Sequence, residues 1–248
     1  MLFHADGSPL LTHFIRPCYL LTLLRNRAFC LVRVDQQKSD PSDSKLPQAC
    51  FDQPHHGPLE QGLGLNDEFL KSQAAAIEAD RDRTYIMCWT HNPTPHMEAV
   101  YGEYGARCTI ELSEIQLKIL LGYGWAPGAE FPPARRPLPD LPHAYLSVQL
   151  IEPLYTDCTS AVSVVPSYFA TAHKDAQFAR EAEIRVQGFV GPPEKKVGGL
   201  GHFLPWSLPY FYGLAIGIGA KVPDPEATEI EKLSGQLSIP VRRLTASP

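Results

Sequence analysis

No two cysteines in this chain form a Cys-x-x-Cys pair. The six cysteines are scattered at positions 18, 30, 50, 88, 108 and 158, which argues against both the short ligand spacing of common zinc sites and the density of a small disulfide scaffold. Cys30, Cys88 and Cys108 sit in apolar, strand-like text and are expected to be buried free thiols. Long hydrophobic runs are also missing. The longest, around 20–24 and 119–121, fall far short of the roughly 18 residues that span a bilayer, so no membrane partner is expected. The N-terminus has no basic region ahead of an apolar stretch, and a cytoplasmic protein is expected. Charge of one sign is not in excess. With 22 basic against 27 acidic residues and a pI near 6.0, nothing attracts nucleic acid or acidic membranes without specificity.

Several chemical signatures are absent too. No Gly-x-Ser-x-Gly elbow occurs. Gly217-Ile218-Gly219 lacks the third glycine of a dinucleotide fingerprint and lies in a strand. Lys195-Lys196 and Gly198-Gly199 lack the order of a phosphate loop. His91 and His96 flank two prolines and are expected as surface caps, so no metal site is assigned.

What is present is enough for a core: 248 residues, 44% of them hydrophobic, point to one α+β domain spanning 1–248. Thr12 to Arg16 reads as a short strand ending at Pro17, Tyr19 to Asn26 as a leucine-striped helix, and Ala28 to Val34 as a second strand. Residues 35–65 are rich in turn formers and read as a polar flap. Asn66 caps a helix to Asp80, Arg83 to Thr90 is a strand, and Thr94-Pro95 opens a short helix ending at Gly105. Arg107 to Leu112 alternates as a half-buried strand should, and Ser113 with Gln116 is a capping box. Six prolines within 125–143 read as a surface loop. A strand over Tyr145 to Tyr155, a helix from Ser167 to Ala176, a glycine-interrupted strand over Tyr210 to Val222, a helix from Asp224 to Gly235 and a last strand over Leu237 to Leu244 complete the chain. Irregularly interspersed helices favour a curved, largely antiparallel sheet with short helices over a doubly wound one.

The stretch from Phe178 to Val190 is the centre of interest. Alternation puts Ala182, Ile184 and Val186 on one side and Glu181, Glu183, Arg185 and Gln187 on the other. Two carboxylates and a guanidinium beside a buried face can bind a hydroxylated ligand or stabilise a developing cation. They also suit the solvated face of an ordinary sheet.

These residues have upstream company in a fixed order: Thr12-His13-Phe14, Ser39-Asp40-Pro41-Ser42-Asp43, Cys88-Trp89-Thr90, Glu98 to Gly105, then Phe178 to Arg185. From about Thr12 to Leu244 the order resembles a bacterial domain family of unknown function, whose landmarks are His-Tyr-Thr, Asn-Asp-Pro, Cys-Phe-Ser, Trp-x-x-Tyr-Gly and Glu-x-Glu-x-Arg. Here His13-Phe14-Ile15, Ser39-Asp40-Pro41 and Trp89-Thr90 depart from the pattern, Met97 or Val100 stands for the tryptophan, and Glu181, Glu183 and Arg185 are kept. More distantly the layout is similar to ADP-ribosyltransferases, which implies a split sheet and NAD as substrate. Breaking the nicotinamide–ribose bond develops an oxocarbenium-like cation, which a carboxylate stabilises. That likeness implies Glu183, with Glu181, as the catalytic pair. Cofactor binding then falls to His13 or Arg16 on the nucleotide, Thr90 on the sugar or the glutamate, Tyr101 or Tyr104 stacked on nicotinamide, and Arg185. The partners expected are a small nucleotide and a protein acceptor. Two alternatives remain: a non-catalytic ligand- or protein-binding module in bacterial stress or phage defence, and a metal-dependent nuclease using Asp40, Asp43 and Glu181.

Overall fold

The computed structural model of the protein describes residues 9–36, 45–91, 93–120, 134–138, 141–157, 159–164, 173–190, 201–205 and 213–245. The chain opens with strand β1 (Leu10–Ile15), helix α1 (Pro17–Asn26) and strand β2 (Ala28–Arg33). Proline stands at the start of α1, where no N–H is needed, and Arg27 in the left-handed region (φ 49°) closes its end. Ten residues are fewer than an isolated helix needs. Its stability comes from burying Leu20, Leu21, Leu23 and Leu24, at roughly 2 kcal/mol each.

Within the expected flap the chain forms two short helices, α2 (Ala49–Asp52) and α3 (Pro58–Gly62), while residues 37–44 lie outside the described residues. Helix α4 (Asp67–Ala79) follows. Its cap is as expected: the Asn66 side chain accepts from the Phe69 N–H at 2.9 Å. Then come β3 (Thr84–Thr90), α5 (Pro95–Val100) capped by Thr94, β4 (Cys108–Ser113) and α6 (Glu114–Leu120). The Ser113–Gln116 capping box forms in both directions, at 3.2 and 2.9 Å.

The proline-dense stretch differs from expectation. It contributes β5 (Ala134–Leu138) and the start of β6 (Leu141–Ile151). β5 is a terminal strand of the sheet, and an edge tolerates proline because one side of the ladder needs no donor. Next are β7 (Leu154–Thr156), β8 (His173–Asp175), β9 (Glu183–Val190), β10 (Gly201–Pro205), β11 (Ala215–Ile218), α7 (Asp224–Gln236) and β12 (Val241–Arg243). The helix expected to reach Ala176 is replaced by β8 and a 3-10 turn over Ala176–Glu181, with 165–172 outside the described residues.

Among the described residues ten strands join one open sheet: eight run in the order β12-β11-β4-β1-β3-β9-β6-β5, β2 pairs with β3 and β10 with β2, and every pair is antiparallel except β11 with β12. The architecture is therefore α+β with a largely antiparallel sheet. β3 is its spine. One edge pairs with β9 along its whole length, while the other is shared: β2 takes Tyr85 and Ile86, and β1 meets it only at Thr90. In the fork between them, the His13 ring nitrogen Nδ1 donates to the Cys88 carbonyl at 2.7 Å.

Alternation divides the sheet chemically. One face carries Leu11, Tyr85, Met87, Trp89, Ile110, Ile184, Val186 and Ile216, packed with α1 and with Ala227 and Ile230 of α7. The other is polar yet buried: Thr12, Thr90, Thr109, Glu111, Glu183, Arg185 and Gln187. A second apolar cluster joins Cys50 of α2, Leu70, Ala74 and Ile77 of α4, and Val162 and Val164. β7 and β8 form a separate parallel ribbon. No helix among the described residues is long and apolar enough to cross a membrane.

Candidate functional site

The site is built on the polar face where β9 starts. Ala182 adopts the left-handed region (φ 42°), which turns the chain out of the 3-10 segment and into the strand. The Thr90 hydroxyl donates to the Glu181 carbonyl, and the His91 N–H donates to Ala182 O at 3.2 Å, so the end of β3 holds the kink. Glu181 thus precedes the strand instead of sharing its alternation. Register then sets a row across three strands, with Thr12 opposite Thr90 and Thr90 opposite Glu183.

Four charged side chains interlock here. Lys174 from β8 donates to Glu181 and, at 2.6 Å, to Glu183 Oε2. Arg185, fully buried, donates from Nε to Glu183 Oε1 at 3.0 Å and from a terminal nitrogen to Oε2 at 3.3 Å. The Tyr101 hydroxyl donates to Glu181 Oε1, and its ring stacks on Phe14 of β1. The Tyr155 hydroxyl accepts the Glu183 backbone N–H at 2.9 Å. Two carboxylates against one ammonium and one guanidinium leave the cluster neutral, which is what lets charges sit in a buried place.

Electrostatics follow from that geometry. Burial works to raise the Glu183 carboxyl, but Arg185, Lys174 and the Cys88 thiol outweigh it and hold it below the usual carboxylate range. Burial, reinforced by the Glu181 carboxylate, pushes the Tyr101 phenol up, and burial does the same for Tyr155. At neutral pH both tyrosines therefore carry their protons.

The expected site residues divide by face. Glu181, Glu183, Arg185, Thr90 and Tyr101 come together. His13 does not: it points to the apolar face, its ring 5.4 Å from that of Trp89, and the row position is taken by its neighbour Thr12. A one-residue step along a strand exchanges faces. Arg16 lies beyond the end of β1, is exposed, and approaches Glu103 at 3.8 Å. The side chain of Tyr104, like that of His96, lies outside the described residues, as do Asp40 and Asp43 of the nuclease reading. Among the described residues no group of three metal-ligating side chains occurs. Sequence reasoning missed Lys174, Tyr155 and Thr12. Only Thr12 had a readable signal, its place in the alternation of β1; the three-residue strands carrying the other two are too short to show a period.

Comparison with known protein families, with curated proteins and with solved structures gives no match.

Proposed function

We propose that this chain is a non-catalytic binding module for a small nucleotide-class molecule, with the Glu181–Lys174–Glu183–Arg185 network as its scaffold and not its reacting groups. The observation that carries this reading is the state of Glu183, whose two carboxylate oxygens are engaged by Arg185 and Lys174. A carboxylate stabilises an oxocarbenium ion through charge it has to spare, and here two cations within hydrogen-bond distance neutralise it in a buried setting. The absence of His13 from this face removes a second group that transfer chemistry implied. The free thiols of Cys18, Cys30, Cys50, Cys88 and Cys108 suit a reducing, cytoplasmic compartment.

A transferase reading is favoured by one observation, the cross-strand row of Thr12, Thr90 and Glu183 beside Glu181. Two measurements separate the readings: calorimetric titration with NAD and with ADP-ribose, and nicotinamide release from NAD. The module reading expects saturable binding without turnover, and expects Glu183→Gln to lower unfolding stability by about 3 kcal/mol because it strands two buried cations. Sustained nicotinamide release that Glu183→Gln abolishes establishes the transferase instead. If neither nucleotide binds, the module reading falls.

A further inference from the structure

Lys174 is buried, and its ammonium nitrogen touches two carboxyl groups at once, Glu181 Oε2 and, at 2.6 Å, Glu183 Oε2. The two glutamates differ in their other partners. Glu183 is gripped by the Arg185 guanidinium; burial works against its charge, but Arg185 and Lys174 hold it ionised. Glu181 instead accepts a hydrogen bond from the Tyr101 hydroxyl at Oε1, the oxygen that Lys174 leaves open. An amine, a carboxyl group in contact with it, a carboxylate beside the amine and an O–H donor on the carboxyl oxygen are the parts that amide formation uses.

In water an ammonium and a carboxylate stay apart as ions, because solvation favours the charges. Here the Lys174 and Glu181 side chains are 7% and 13% exposed, and the Phe178 ring lies 5.2 Å from the ammonium. Condensation removes two charges from a place where holding them is costly. Two groups kept in contact also react as if at an effective concentration of about 10⁵–10⁸ M, given the right geometry. The carboxyl carbon of Glu181 stands one bond beyond the oxygen that Lys174 touches. The terminal torsion of a glutamate is broad, so a turn about its Cγ–Cδ bond presents the face of that carbon to the nitrogen.

We propose that Lys174 and Glu181 condense into an intramolecular amide, a covalent cross-link between β8 and the turn that precedes β9. The ammonium passes one proton to Glu181 Oε2, and the neutral nitrogen attacks Cδ. The nitrogen of the adduct is a stronger acid than a free ammonium, and Glu183, already in contact with it, takes its second proton. Tyr101 donates to Oε1 while negative charge gathers there. The Cδ–Oε2 bond then breaks, Glu183 returns its proton to the departing oxygen, and one water leaves. The third proton stays on the amide nitrogen, and Glu183 ends as it began, ionised and paired with Arg185. The β7–β8 ribbon forms a two-stranded sheet of its own, and the amide fastens it to the strand that carries Glu183 and Arg185.

The test is mass spectrometry of the full chain, intact and after digestion with trypsin. The wild-type protein is expected to be lighter than its sequence by one water, to resist cleavage after Lys174, and to yield a branched peptide joining Lys174 to Glu181. Lys174→Arg keeps a positive charge against both glutamates and cannot form the bond; it is expected at its full mass, as is Glu181→Ala. Full mass in the wild-type protein after prolonged incubation overturns the proposal without recourse to any variant. It is equally overturned by a lost water that persists in Lys174→Arg, or by a branch that maps to Glu183.

Discussion

His13 and His173 are both held uncharged by burial, with pKa values lowered to about 4. For His13, burial outweighs the hydrogen bond to the Cys88 carbonyl, and Arg107 adds to the depression. In the unfolded chain each titrates near 6.5. Between those values the unfolded state binds more protons, so the stability each contributes is fully present above about pH 6.5 and is lost as pH falls towards 4, at up to about 1.4 kcal/mol per pH unit. Glu183 acts in the same sense lower down, its share fully present above about pH 4.3, the ordinary carboxyl value, and lost below it. Urea unfolding at pH 7 and pH 5 should therefore show a clear loss of stability at pH 5, and His173→Phe should remove a substantial part of it. Equal loss in both proteins would contradict the assignment. At this scale the sequence was partly legible. Glu183 and Arg185 could be picked out because they sit in a long strand with clear alternation, whereas Thr90 at the end of β3 and Tyr101 in the turn after α5 came from the resemblance. Lys174 could not, because it reaches the glutamates through a three-residue strand and a turn. His13 was read one step out of phase with the row, an error that alternation turns into the opposite face.

The kink at Ala182 governs how β9 enters the sheet. A side chain in the left-handed region costs about 1 kcal/mol, which glycine avoids, and the kink survives because β3 holds it from Thr90 and His91. Ala182→Gly is expected to raise the unfolding free energy by about 0.5–1 kcal/mol and leave the network intact, as measured by chemical denaturation; destabilisation would mean that the alanine methyl contributes packing of its own. Most elements were readable here because their signals are local: Pro95 at a helix start, the Asn66 and Thr94 caps, the Ser113–Gln116 box; Pro17, read as the end of a strand, also opens α1. β5 was hidden by its prolines, which exclude a central strand but not a terminal one.

At the scale of the whole molecule, the described residues form two apolar cores of unequal size. The main one joins the sheet to α1 and α7, and the satellite joins α2, α4 and Val162 and Val164. Opening free energies vary across a structure, and small clusters under long connections lie at the low end. Cys50 belongs to the satellite, where its sulfur accepts the Val162 N–H at 3.3 Å, and Cys108 to the main core. Thiol labelling under native conditions should therefore modify Cys50 well before Cys108. Equal protection of the two would show that the molecule opens as one unit. The α+β class was legible from the mixture of elements. The order of strands was not, because pairings such as β3 with β9 join residues far apart in the sequence, from Thr84 with Phe189 to Thr90 with Glu183.

The fork on β3 also has a mechanical meaning. The wing of β1, β4, β11 and β12 meets the spine at a single backbone pair, Thr12 with Thr90, supplemented by the His13 bond to Cys88. Load drawn across the sheet concentrates on that seam, while the long β3–β9 zipper shares the same load among seven pairs. The chain itself crosses that line at α1 between β1 and β2, at α5 between β3 and β4, between β4 and β5, and between β10 and β11. Stretched in this direction, the protein yields first along the seam beside Thr90, and the half carrying Glu183 and Arg185 stays whole.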